Sequence, residues 1–317
     1  MEEAVRAELL EALRPLCKRK TLLENVPLSS YTTLGVGGAA EIFCEVTAAE
    51  QLKEVLRIAW RLSVPVTVLG NGSNTLVRDG GVPGLTLHIG EGMAEVSQPV
   101  PLPDGRMAIT AQAGASLARL ANAAADASLT GLEFAGGIPG TVGGAVAMNA
   151  GAYGGEISDV LLGATCVTLS GESSHYTKDD MRFAYRTSRL NDPRAPREIL
   201  VSATFALALG DGDAIRVAMR EFNARRREKQ PLTMPCCGST FKRPQGGFAG
   251  TLIENCGLKG LRVGGASVSM QHAGFLINDE NGNASDYLAL IAKVQQTVWE
   301  KTGVMLEPEV RIIGVDP

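Results

Sequence analysis

The sequence lacks the features that identify a membrane or secreted protein. No run approaches the roughly 20 consecutive apolar residues that a membrane-spanning helix requires, although 45% of the residues are hydrophobic. The chain starts with Met1-Glu2-Glu3, and this acidic start differs from the basic start of a signal peptide. We therefore expect a cytoplasmic protein.

The sequence has few histidines and no closely spaced cysteine pair of the kind that binds zinc, which argues against a metal centre. The three histidines, His88, His175 and His272, are scattered along the chain. None of the six cysteines has the Cys-x-x-Cys spacing of zinc sites, and we expect reduced thiols rather than a disulfide framework. The neighbours Cys236 and Cys237 are expected to pack in the interior, with redox sensitivity as the alternative. We predict no metal, so the chemistry must come from a bound cofactor or a few polar side chains.

Excess positive charge is absent from the chain as a whole. The net charge of −4 gives no reason to expect a nucleic-acid partner. The segment 213–262 is an exception, because it has ten Lys or Arg residues and four Asp or Glu residues. This segment could bind an anionic small molecule or form a solvated helix face, and composition alone leaves both interpretations open.

The length and the apolar spacing indicate a fully folded chain of more than one domain. At 317 residues the chain is longer than one hydrophobic core usually serves, so we expect two or three domains. Apolar spacing predicts helices at 3–18, 48–62, 116–128, 213–230 and 284–301. Strands are predicted at 41–46, 65–69, 84–89, 107–113 and 310–313, with further strands and turns from 161 to 207 and a loop from 231 to 247.

Glycine is abundant, with 37 residues that are concentrated in blocks. The predicted strand at 65–69 leads into GNGSNT at 70–75, a loop whose backbone N–H groups can point at a phosphate. A second block, AGGIPGTVGGA at 135–145, has so few bulky side chains that a large flat ligand could lie against bare backbone. Tight turns are the alternative explanation of both blocks.

A third glycine run, GVGGAA at 35–40, matches the dinucleotide-binding fingerprint in letters but not in setting. That fingerprint follows a strand and opens a helix, whereas this run leads into the strand-like segment 41–46. No glycine block ends in Gly-Lys-Ser or Gly-Lys-Thr, so a P-loop is also excluded. The glycine loops must therefore belong to another phosphate-binding design.

Taken in order, the glycine blocks and three later motifs resemble the UDP-N-acetylenolpyruvoylglucosamine reductases. The motifs are YTTLG at 31–35, LGNGSN at 69–74, GGIPGTVGG at 136–144, FAYRTS at 183–188, GSTFKRP at 238–244 and LEPEVR at 306–311. The resemblance extends from about Val26 to Gly314. The glycine loops alone would indicate only the wider vanillyl-alcohol-oxidase-like flavoprotein fold, and the three later motifs are specific to the reductases.

The resemblance implies a three-domain α+β flavoprotein with the vanillyl-alcohol-oxidase-like (PCMH-type) FAD-binding fold. Residues 1–85 and 86–212 would be two FAD-binding subdomains, and 213–303 would be the substrate-binding domain. The C-terminal residues 304–317 would return to the second subdomain. The stretch 189–199 is short, as in the compact form of the family that lacks an extra loop folding a tyrosine over the substrate.

The implied reaction is the reduction of UDP-N-acetylglucosamine enolpyruvate to UDP-N-acetylmuramate, a step of peptidoglycan precursor synthesis. NADPH would reduce a non-covalently bound FAD and leave, and the sugar nucleotide would then accept the hydride. We expect a monomer with these small molecules as partners and with neither nucleic acid nor membrane. The alternatives are another flavin oxidoreductase of the same fold that uses O₂, and a non-catalytic UDP-sugar or flavin-binding protein.

The later motifs carry the residues that the resemblance assigns to the chemistry. Arg186 would stabilise the enolate, Ser239 would protonate it, and Glu309 would assist with position or proton relay. Outside its motif, Ser239 would be a turn or helix-capping residue and Arg186 a surface ion-pair partner. Glu307 would share a strand face with Glu309, so the choice of Glu309 follows the family pattern.

The resemblance also implies which residues bind the cofactor and the substrate. The residues expected to bind FAD are Thr33, Gly70, Asn71, Gly72, Ser73, Asn74, Thr75, Gly136, Gly137, Ile138, Pro139, Gly140, Thr141, Gly143, Gly144, Ala145 and Asn149. The last of these could instead cap a turn. The residues expected to contact the substrate are Tyr185, Lys229 and His272, with Lys242 and Arg243 as looser possibilities.

Overall fold

The computed structural model describes residues 1–18 and 20–317. The helices are α1 (Glu3–Leu13), α2 (Ala49–Arg61), α3 (Leu117–Asp126), α4 (Val142–Ala147), α5 (Ile157–Val160), α6 (Gly212–Lys229), α7 (Ala249–Asn255) and α8 (Ala284–Thr302). The strands are β1 (Leu22–Pro27), β2 (Ala39–Glu45), β3 (Val66–Leu69), β4 (Thr75–Val77), β5 (Val82–His88), β6 (Val100–Pro101), β7 (Met107–Gln112), β8 (Leu129–Thr130), β9 (Gly151–Ala152), β10 (Gly155–Glu156), β11 (Leu161–Thr168), β12 (Ser173–Thr177), β13 (Glu198–Leu209), β14 (Cys236–Ser239), β15 (Arg262–Val263), β16 (Ala266–Val268), β17 (Phe275–Asn278) and β18 (Arg311–Ile313). None of the described helices is long and apolar enough to cross a membrane.

These elements form two compact units, each with a hydrophobic core of its own. The first unit comprises Met1–Leu23, Ile42–Gly70 and Gly84–Arg225, and the second unit comprises Glu24–Glu41, Asn71–Pro83 and Arg226–Pro317. One cluster of buried apolar side chains lies in the first unit and another lies in the second. The predicted three-domain division stays a prediction, because it concerns where FAD and the substrate bind.

The first unit contains an antiparallel sheet in the order β12-β11-β13-β7-β6. Helix α3 packs apolar residues at helical spacing into the core of this unit, including Leu117, Leu120 and Ala124. It begins after Ser116, whose side chain accepts a hydrogen bond from the Arg119 N–H at 3.1 Å. The chain before α3 therefore enters the helix in a fixed direction.

The N-terminal helix is shorter than its apolar pattern predicts. Helix α1 ends at Leu13 and continues as a 3₁₀ turn over Arg14–Leu16. Pro15 is the reason, because proline has no N–H group and its ring clashes with the preceding helical turn. The prediction of a helix to residue 18 was therefore too long, and Cys17 has an extended backbone.

Another sheet has the strand order β1-β2-β5-β3, and its edge strand β3 leads into the first glycine loop. Strands β3 and β5 are parallel, with Leu69 paired to His88. Gly70 follows directly after the last residue of β3, so the loop leaves the sheet at a strand end. Strand-to-loop junctions of this kind are common positions for ligand-binding backbone.

In the second unit, helix α8 packs against an antiparallel sheet in the order β14-β17-β16-β15. Its fully buried side chains include Tyr287, Leu290 and Val294. Strand β14 lies inside the segment 231–247 that was predicted to be a loop. The strand is short and irregular, with a register shift at Gly238, whose φ is +78°. A strand with such an interruption has no continuous alternation for a sequence pattern to detect.

The last strand, β18, pairs in parallel with β4. Arg311 is opposite Thr75, and Ile313 is opposite Val77. This pairing brings the LEPEVR motif beside the end of the glycine loop within the second unit. Helices and largely antiparallel sheets in both units confirm the α+β class.

Candidate active site

The second glycine block folds around Thr141 in the first unit. The Thr141 side chain caps α4 by accepting a hydrogen bond from the Gly144 N–H at 3.3 Å. The N–H groups of Val142 and Gly143 donate to the carbonyls of Ala115 and Ala113, both at 2.8 Å. The start of α4 is therefore bonded to the chain that follows β7.

Gly70 approaches the same threonine closely. A Cβ atom at Gly70 would lie 2.6 Å from Thr141 Oγ1, a separation that real side chains do not reach. Gly136, Gly137 and Gly140 of the block offer backbone without a side chain, and Gly140 has a φ of +140° that suits glycine. The end of β3 and the second glycine block thus form one surface of nearly bare backbone, which fits the close approach of a flat ring.

Tyr185 and Arg186 are the two central residues of a tight turn in the first unit. The N–H of Ala184 donates to the carbonyl of Thr187, and the N–H of Thr187 donates back to Ala184, both at 3.1 Å. Arg186 has a φ of +56°, a left-handed conformation that glycine usually adopts at this position of a turn. Such strain in a non-glycine residue is common at functional sites.

Polar side chains that the sequence did not single out hold this turn. Ser188 Oγ donates to the carbonyl of Ala147 at 2.9 Å, and Asn191 Nδ2 donates to the carbonyl of Arg186 at 3.4 Å. Ser188 and Asn191 also form a reciprocal capping box. The Ser-x-x-Asn spacing was the signal that could have identified them.

Asn149 also holds this turn, through a hydrogen bond to its first residue, Ala184. This residue is 1% exposed and has a φ of +42°. Its Nδ2 donates to the carbonyl of Ala184 at 3.3 Å, and its Oδ1 accepts from the Ser158 N–H at 2.9 Å. These contacts support a positioning role for Asn149, and its predicted contact with FAD stays a prediction.

In the second unit, Thr33 joins the first glycine loop to β14. Its hydroxyl donates to the carbonyl of Cys236 at 2.6 Å, and its N–H donates to the carbonyl of Gly72 at 3.4 Å. Gly72 has a φ of +59°, and a Cβ there would lie 2.2 Å from the Tyr31 carbonyl oxygen. The YTTLG motif and the glycine loop therefore pack with no room for a side chain at residue 72.

Ser239 and Glu309 are connected through Thr240, which is fully buried. The Thr240 N–H donates to the carbonyl of Gly274 at 2.9 Å, and its Oγ1 accepts from the Leu276 N–H at 3.4 Å. The Thr240 carbonyl accepts from the Glu309 N–H at 2.8 Å. The residue next to Ser239 is thus hydrogen-bonded to the backbone of Glu309.

Asn74 binds the carbonyl group of Glu309, whereas Thr240 binds its N–H group. The Asn74 Nδ2 donates to the Glu309 carbonyl at 3.2 Å, and the Asn74 carbonyl accepts from the Arg311 N–H at 3.0 Å. The sequence predicted Asn74 as an FAD-binding residue and did not predict this contact. No local signal indicates it, because the two residues are 235 positions apart.

The two glutamates of the LEPEVR motif are in different surroundings. Glu307 is exposed and its carboxylate forms an ion pair with the Lys242 ammonium. Glu309 is half-buried, and its backbone is held at both ends. A carboxylate on a fixed backbone is better suited to a positional role than one in an exposed ion pair. The surroundings support the choice of Glu309 over Glu307.

Gln271, the neighbour of His272 in the chain, bonds to the helix end that carries Lys229. Gln271 Nε2 donates to the carbonyl of Glu228 at 2.9 Å, which ties the end of α6 to the loop that holds His272. His272 Nδ1 accepts from the Gly274 N–H at 3.0 Å, and burial lowers the pKa of His272. The neutral ring then carries its proton on Nε2, as a hydrogen-bond donor.

Half of the ten cations in the basic segment 213–262 form ion pairs with carboxylates. The ion-paired residues are Arg216, Arg225, Lys242, Lys259 and Arg262. Lys229 differs, because within the part of the chain that the structure describes no carboxylate pairs with its ammonium group. Much of the segment therefore lies in exposed ion pairs, and the predicted contact of Lys229 with an anionic ligand stays a prediction.

Cys236 and Cys237 pack as expected. Burial raises the pKa of the Cys236 thiol and raises that of Cys237 to about 12. The Cys237 sulfur is 3.6 Å from the buried Tyr287 hydroxyl. Both thiols are therefore protonated at neutral pH and are poor nucleophiles.

Sequence comparisons identify close relatives over almost the whole chain. The chain is 48% identical over 292 residues to the UDP-N-acetylenolpyruvoylglucosamine reductase of Listeria monocytogenes serotype 4b, covering 92% of this chain and 95% of the relative. It is 46% identical over 296 residues to the enzyme of the same name from Levilactobacillus brevis, covering 93% and 94%. Residues 230–313 match the C-terminal domain family of UDP-N-acetylenolpyruvoylglucosamine reductase, and residues 40–176 match an FAD binding domain family.

Solved structures show the same relationship. The structure is similar to the UDP-N-acetylenolpyruvylglucosamine reductase of Thermus caldophilus, with a TM-score of 0.77 and 35% identity over 92% of this chain and all of the other. It also shares its fold with p-cresol methylhydroxylase, with a TM-score of 0.50 and 13% identity over 98% of this chain and 67% of that one. At that identity the second match concerns the fold alone, and it confirms the predicted PCMH-type fold.

Proposed function

The chain belongs to the UDP-N-acetylenolpyruvoylglucosamine reductase family, and from that membership we propose how its own residues carry out the reaction. It reduces UDP-N-acetylglucosamine enolpyruvate to UDP-N-acetylmuramate in peptidoglycan precursor synthesis, and its cofactor is FAD. The roles of individual residues, the use of NADPH and the cellular setting are the parts that we propose.

The bare backbone of the glycine loops suits the FAD. When bound, FAD would take two electrons from NADPH and supply them to the enolpyruvyl double bond. In the first unit, Gly70 and the block at 136–145 would approach it with backbone, because a Cβ at Gly70 would collide with Thr141. In the second unit, residues 71–75 and Thr33 would approach it as well, with Thr33 fixed by its bond to Cys236.

Arg186 would stabilise the negative charge that develops on the substrate as an enolate. A fixed cation lowers the barrier most when it need not reorganise during the reaction. The hydrogen bonds within its turn and those from Ser188 and Asn191 hold its backbone, and its Nη1 donates to the Gly151 carbonyl at 3.4 Å. The cost of a left-handed arginine, about 1 kcal/mol or more, is consistent with a residue kept for its position.

Ser239 would donate the proton that completes the reduction. A serine hydroxyl is too weakly acidic to protonate most groups at neutral pH, but an enolate carbon is a strong base. Glu309 would orient the hydroxyl or relay the proton. The observation that carries this proposal is the link through Thr240, which bonds the backbone of Glu309 beside Ser239, together with the Asn74 amide.

Lys229, Tyr185 and His272 would contact the UDP-sugar. The Lys229 ammonium, which has no carboxylate partner among residues 1–18 and 20–317, suits a diphosphate, which two or more fixed donors must hold. The neutral His272 would add an N–H donor from Nε2. We also propose that the enzyme acts as a cytoplasmic monomer and has neither nucleic acid nor a membrane as a partner.

An anaerobic absorbance titration tests the proposed function. The visible flavin band of the purified protein would be followed as NADPH and then the enolpyruvyl UDP-sugar are added. We expect NADPH to bleach the band and the sugar nucleotide to restore it. A flavin that NADPH does not bleach would favour an oxidase of the same fold. A protein that takes up FAD and binds the UDP-sugar without any redox change would favour a binding protein.

A further inference from the structure

Cys17 and Cys44 face each other in the first unit, although neither belongs to the candidate active site. Their Sγ atoms are 3.5 Å apart. Cys17 follows the 3₁₀ turn Arg14–Leu16 and is half-buried, whereas Cys44 lies on β2 and is fully buried in the core. The Cys17 thiol is therefore accessible to a small reagent, and the Cys44 thiol is buried within contact distance of it.

A side chain of α2 holds Cys17, the half-buried member of the pair, in place. Gln51 Nε2 donates to the carbonyl of Leu16 at 3.0 Å and contacts the Cys17 sulfur at 3.6 Å. The Gln51 Oε1 in turn accepts from the Thr47 N–H at 2.7 Å, so the amide has a fixed orientation. Hydrogen bonds of Gln51 therefore connect α2 to the segment that follows α1, and they hold the Cys17 sulfur close to that of Cys44.

The two thiols have opposite protonation preferences. Hydrogen bonds from the Cys44 thiol and from Gln51 lower the pKa of Cys17 to about 7, against the opposing effect of its partial burial. The hydrogen bond to Cys17 and burial raise the pKa of Cys44. At neutral pH a fraction of Cys17 is therefore thiolate, and Cys44 stays a thiol.

We propose that Cys17 and Cys44 are a peroxide-sensitive pair that closes into an intrachain disulfide. The Cys17 thiolate attacks one oxygen of hydrogen peroxide, an S–O bond forms, and the O–O bond breaks with loss of hydroxide. The Cys44 sulfur then attacks the sulfenic sulfur, an S–S bond forms, and the hydroxide that leaves takes up the Cys44 proton. Two thiols lose two electrons in total, and one peroxide becomes two waters.

The other cysteines lack this arrangement. Burial raises the pKa of Cys166 and of Cys237 to about 12, and it also raises that of Cys236. Among the described residues, Cys256 is a buried free thiol. Cys236 is therefore a suitable control, because it is a half-buried cysteine on a strand without a lowered pKa.

The test is thiol counting on the FAD-loaded full chain after graded treatment with hydrogen peroxide. The protein is unfolded in N-ethylmaleimide, and alkylated thiols are counted by mass spectrometry. We expect the count to fall from six to four, with one covalent link between the peptides of Cys17 and Cys44. Dithiothreitol should restore all six.

Three variants separate the pair from nonspecific oxidation. Cys17→Ser should keep Cys44 alkylatable after peroxide, and Cys44→Ser should leave Cys17 as a sulfenic acid that dimedone labels. Cys236→Ser should still lose two thiols and form the link. A wild-type protein that oxidises at Cys17 while Cys44 stays alkylatable, or one whose link joins other cysteines, would overturn the proposal.

A stability measurement provides a readout that does not depend on mass spectrometry. The disulfide would close the chain between Cys17 and Cys44, and closing a loop of this size restricts the unfolded state. We expect the oxidised wild type to unfold about 5 °C higher than the reduced protein, with no such shift in Cys17→Ser. An oxidised wild type with the link present but no higher midpoint would contradict a well-fitted pair.

Discussion

Asn74 could serve the active site in two ways. The family resemblance assigns it to FAD, whereas its side-chain amide donates to the Glu309 carbonyl and its own carbonyl accepts from the Arg311 N–H. A hydrogen bond to a carbonyl fixes where Glu309 lies and leaves its carboxylate available for the substrate. We infer that Asn74 positions Glu309, and a side chain of the same size can test this.

Replacing Asn74 by leucine should slow the half-reaction with the sugar nucleotide. The donor to Glu309 is lost, and a displacement of about 1 Å in a catalytic group can cost roughly 100-fold in rate. Anaerobic stopped-flow absorbance would measure the reoxidation of the NADPH-treated enzyme, and fluorescence would measure FAD binding. Weaker FAD binding with a normal reoxidation rate would assign Asn74 to the cofactor instead.

Ser239→Ala should separate the two half-reactions. Flavin reduction by NADPH needs no proton from Ser239, so its rate should stay within about twofold, whereas reoxidation by the enolpyruvyl substrate should fall by at least 100-fold. Ser170→Ala, which alters a hydroxyl bonded to Thr168 in the first unit, serves as the matched control. A collapse of the NADPH step alone would show that Ser239 is not the proton donor.

The Cys17 thiolate should be detectable by its pH dependence. The alkylation rate of a thiol follows its thiolate fraction, so iodoacetamide should react with Cys17 increasingly as the pH rises through about 7. Gln51→Leu removes one of the hydrogen bonds that lower this pKa and should move the midpoint upward. A wild-type midpoint near the ordinary thiol value, about 8.5, would contradict the lowered pKa.

Helix α8 shows how a distant residue completes a secondary-structure element. Asn283 caps this helix in a local capping box, as sequence rules lead one to expect. Asp79 adds a second cap from a remote part of the second unit, because its carboxylate accepts from the N–H groups of Ala284 and Ser285, both at 2.8 Å. Negative charge at a helix N-terminus is favourable, so this contact stabilises the second unit.

Asp79→Ala should therefore cost about 1 to 2 kcal/mol at neutral pH. Burial alone would raise the pKa of Asp79, but hydrogen bonds from the Ser285 hydroxyl and from the Ala284 and Ser285 N–H groups outweigh it and lower the pKa. A carboxyl with a lowered folded pKa stabilises the protein above its unfolded pKa of about 3.9, and this stabilisation disappears as the pH falls through the folded value. Urea unfolding of both proteins between pH 7 and pH 3 should show the difference shrinking, and a constant difference would argue against a charged cap.

For the whole molecule, the separate cores of the two units predict unfolding that departs from a single two-state transition. Leu56 lies in the first core and Leu290 in the second, and both are fully buried. Each leucine-to-alanine variant should lose about 2 to 5 kcal/mol from its own unit. Differential scanning calorimetry should give a calorimetric enthalpy larger than the van 't Hoff enthalpy, with each variant lowering a different component. If both variants shift one symmetric transition equally, the units unfold together.

Much of the fold was predictable because helix signals are local. Helices at 48–62, 116–128, 213–230 and 284–301 were predicted from apolar spacing within one segment, and the structure has them within two residues at each end. Strand β14 was not predicted, because its partner β17 is remote in sequence and Gly238 interrupts its alternation. Thr240 was also missed, since it acts through backbone contacts with remote residues that leave no local pattern, whereas the Ser-x-x-Asn spacing of Ser188 and Asn191 was a local signal that was not used.

The sequence by itself determined the α+β class, the positions of the glycine loops and the family, because ordered motifs and apolar periods are properties of contiguous residues. The tertiary structure alone decided which atoms meet. It placed the Asn74 amide on Glu309 across 235 positions, the Asp79 carboxylate on α8, and the Cys17 sulfur 3.5 Å from that of Cys44. Hydrogen bonds and thiol chemistry depend on separations of a few ångströms. Those separations arise only when the core of each unit packs and brings distant segments of that unit together.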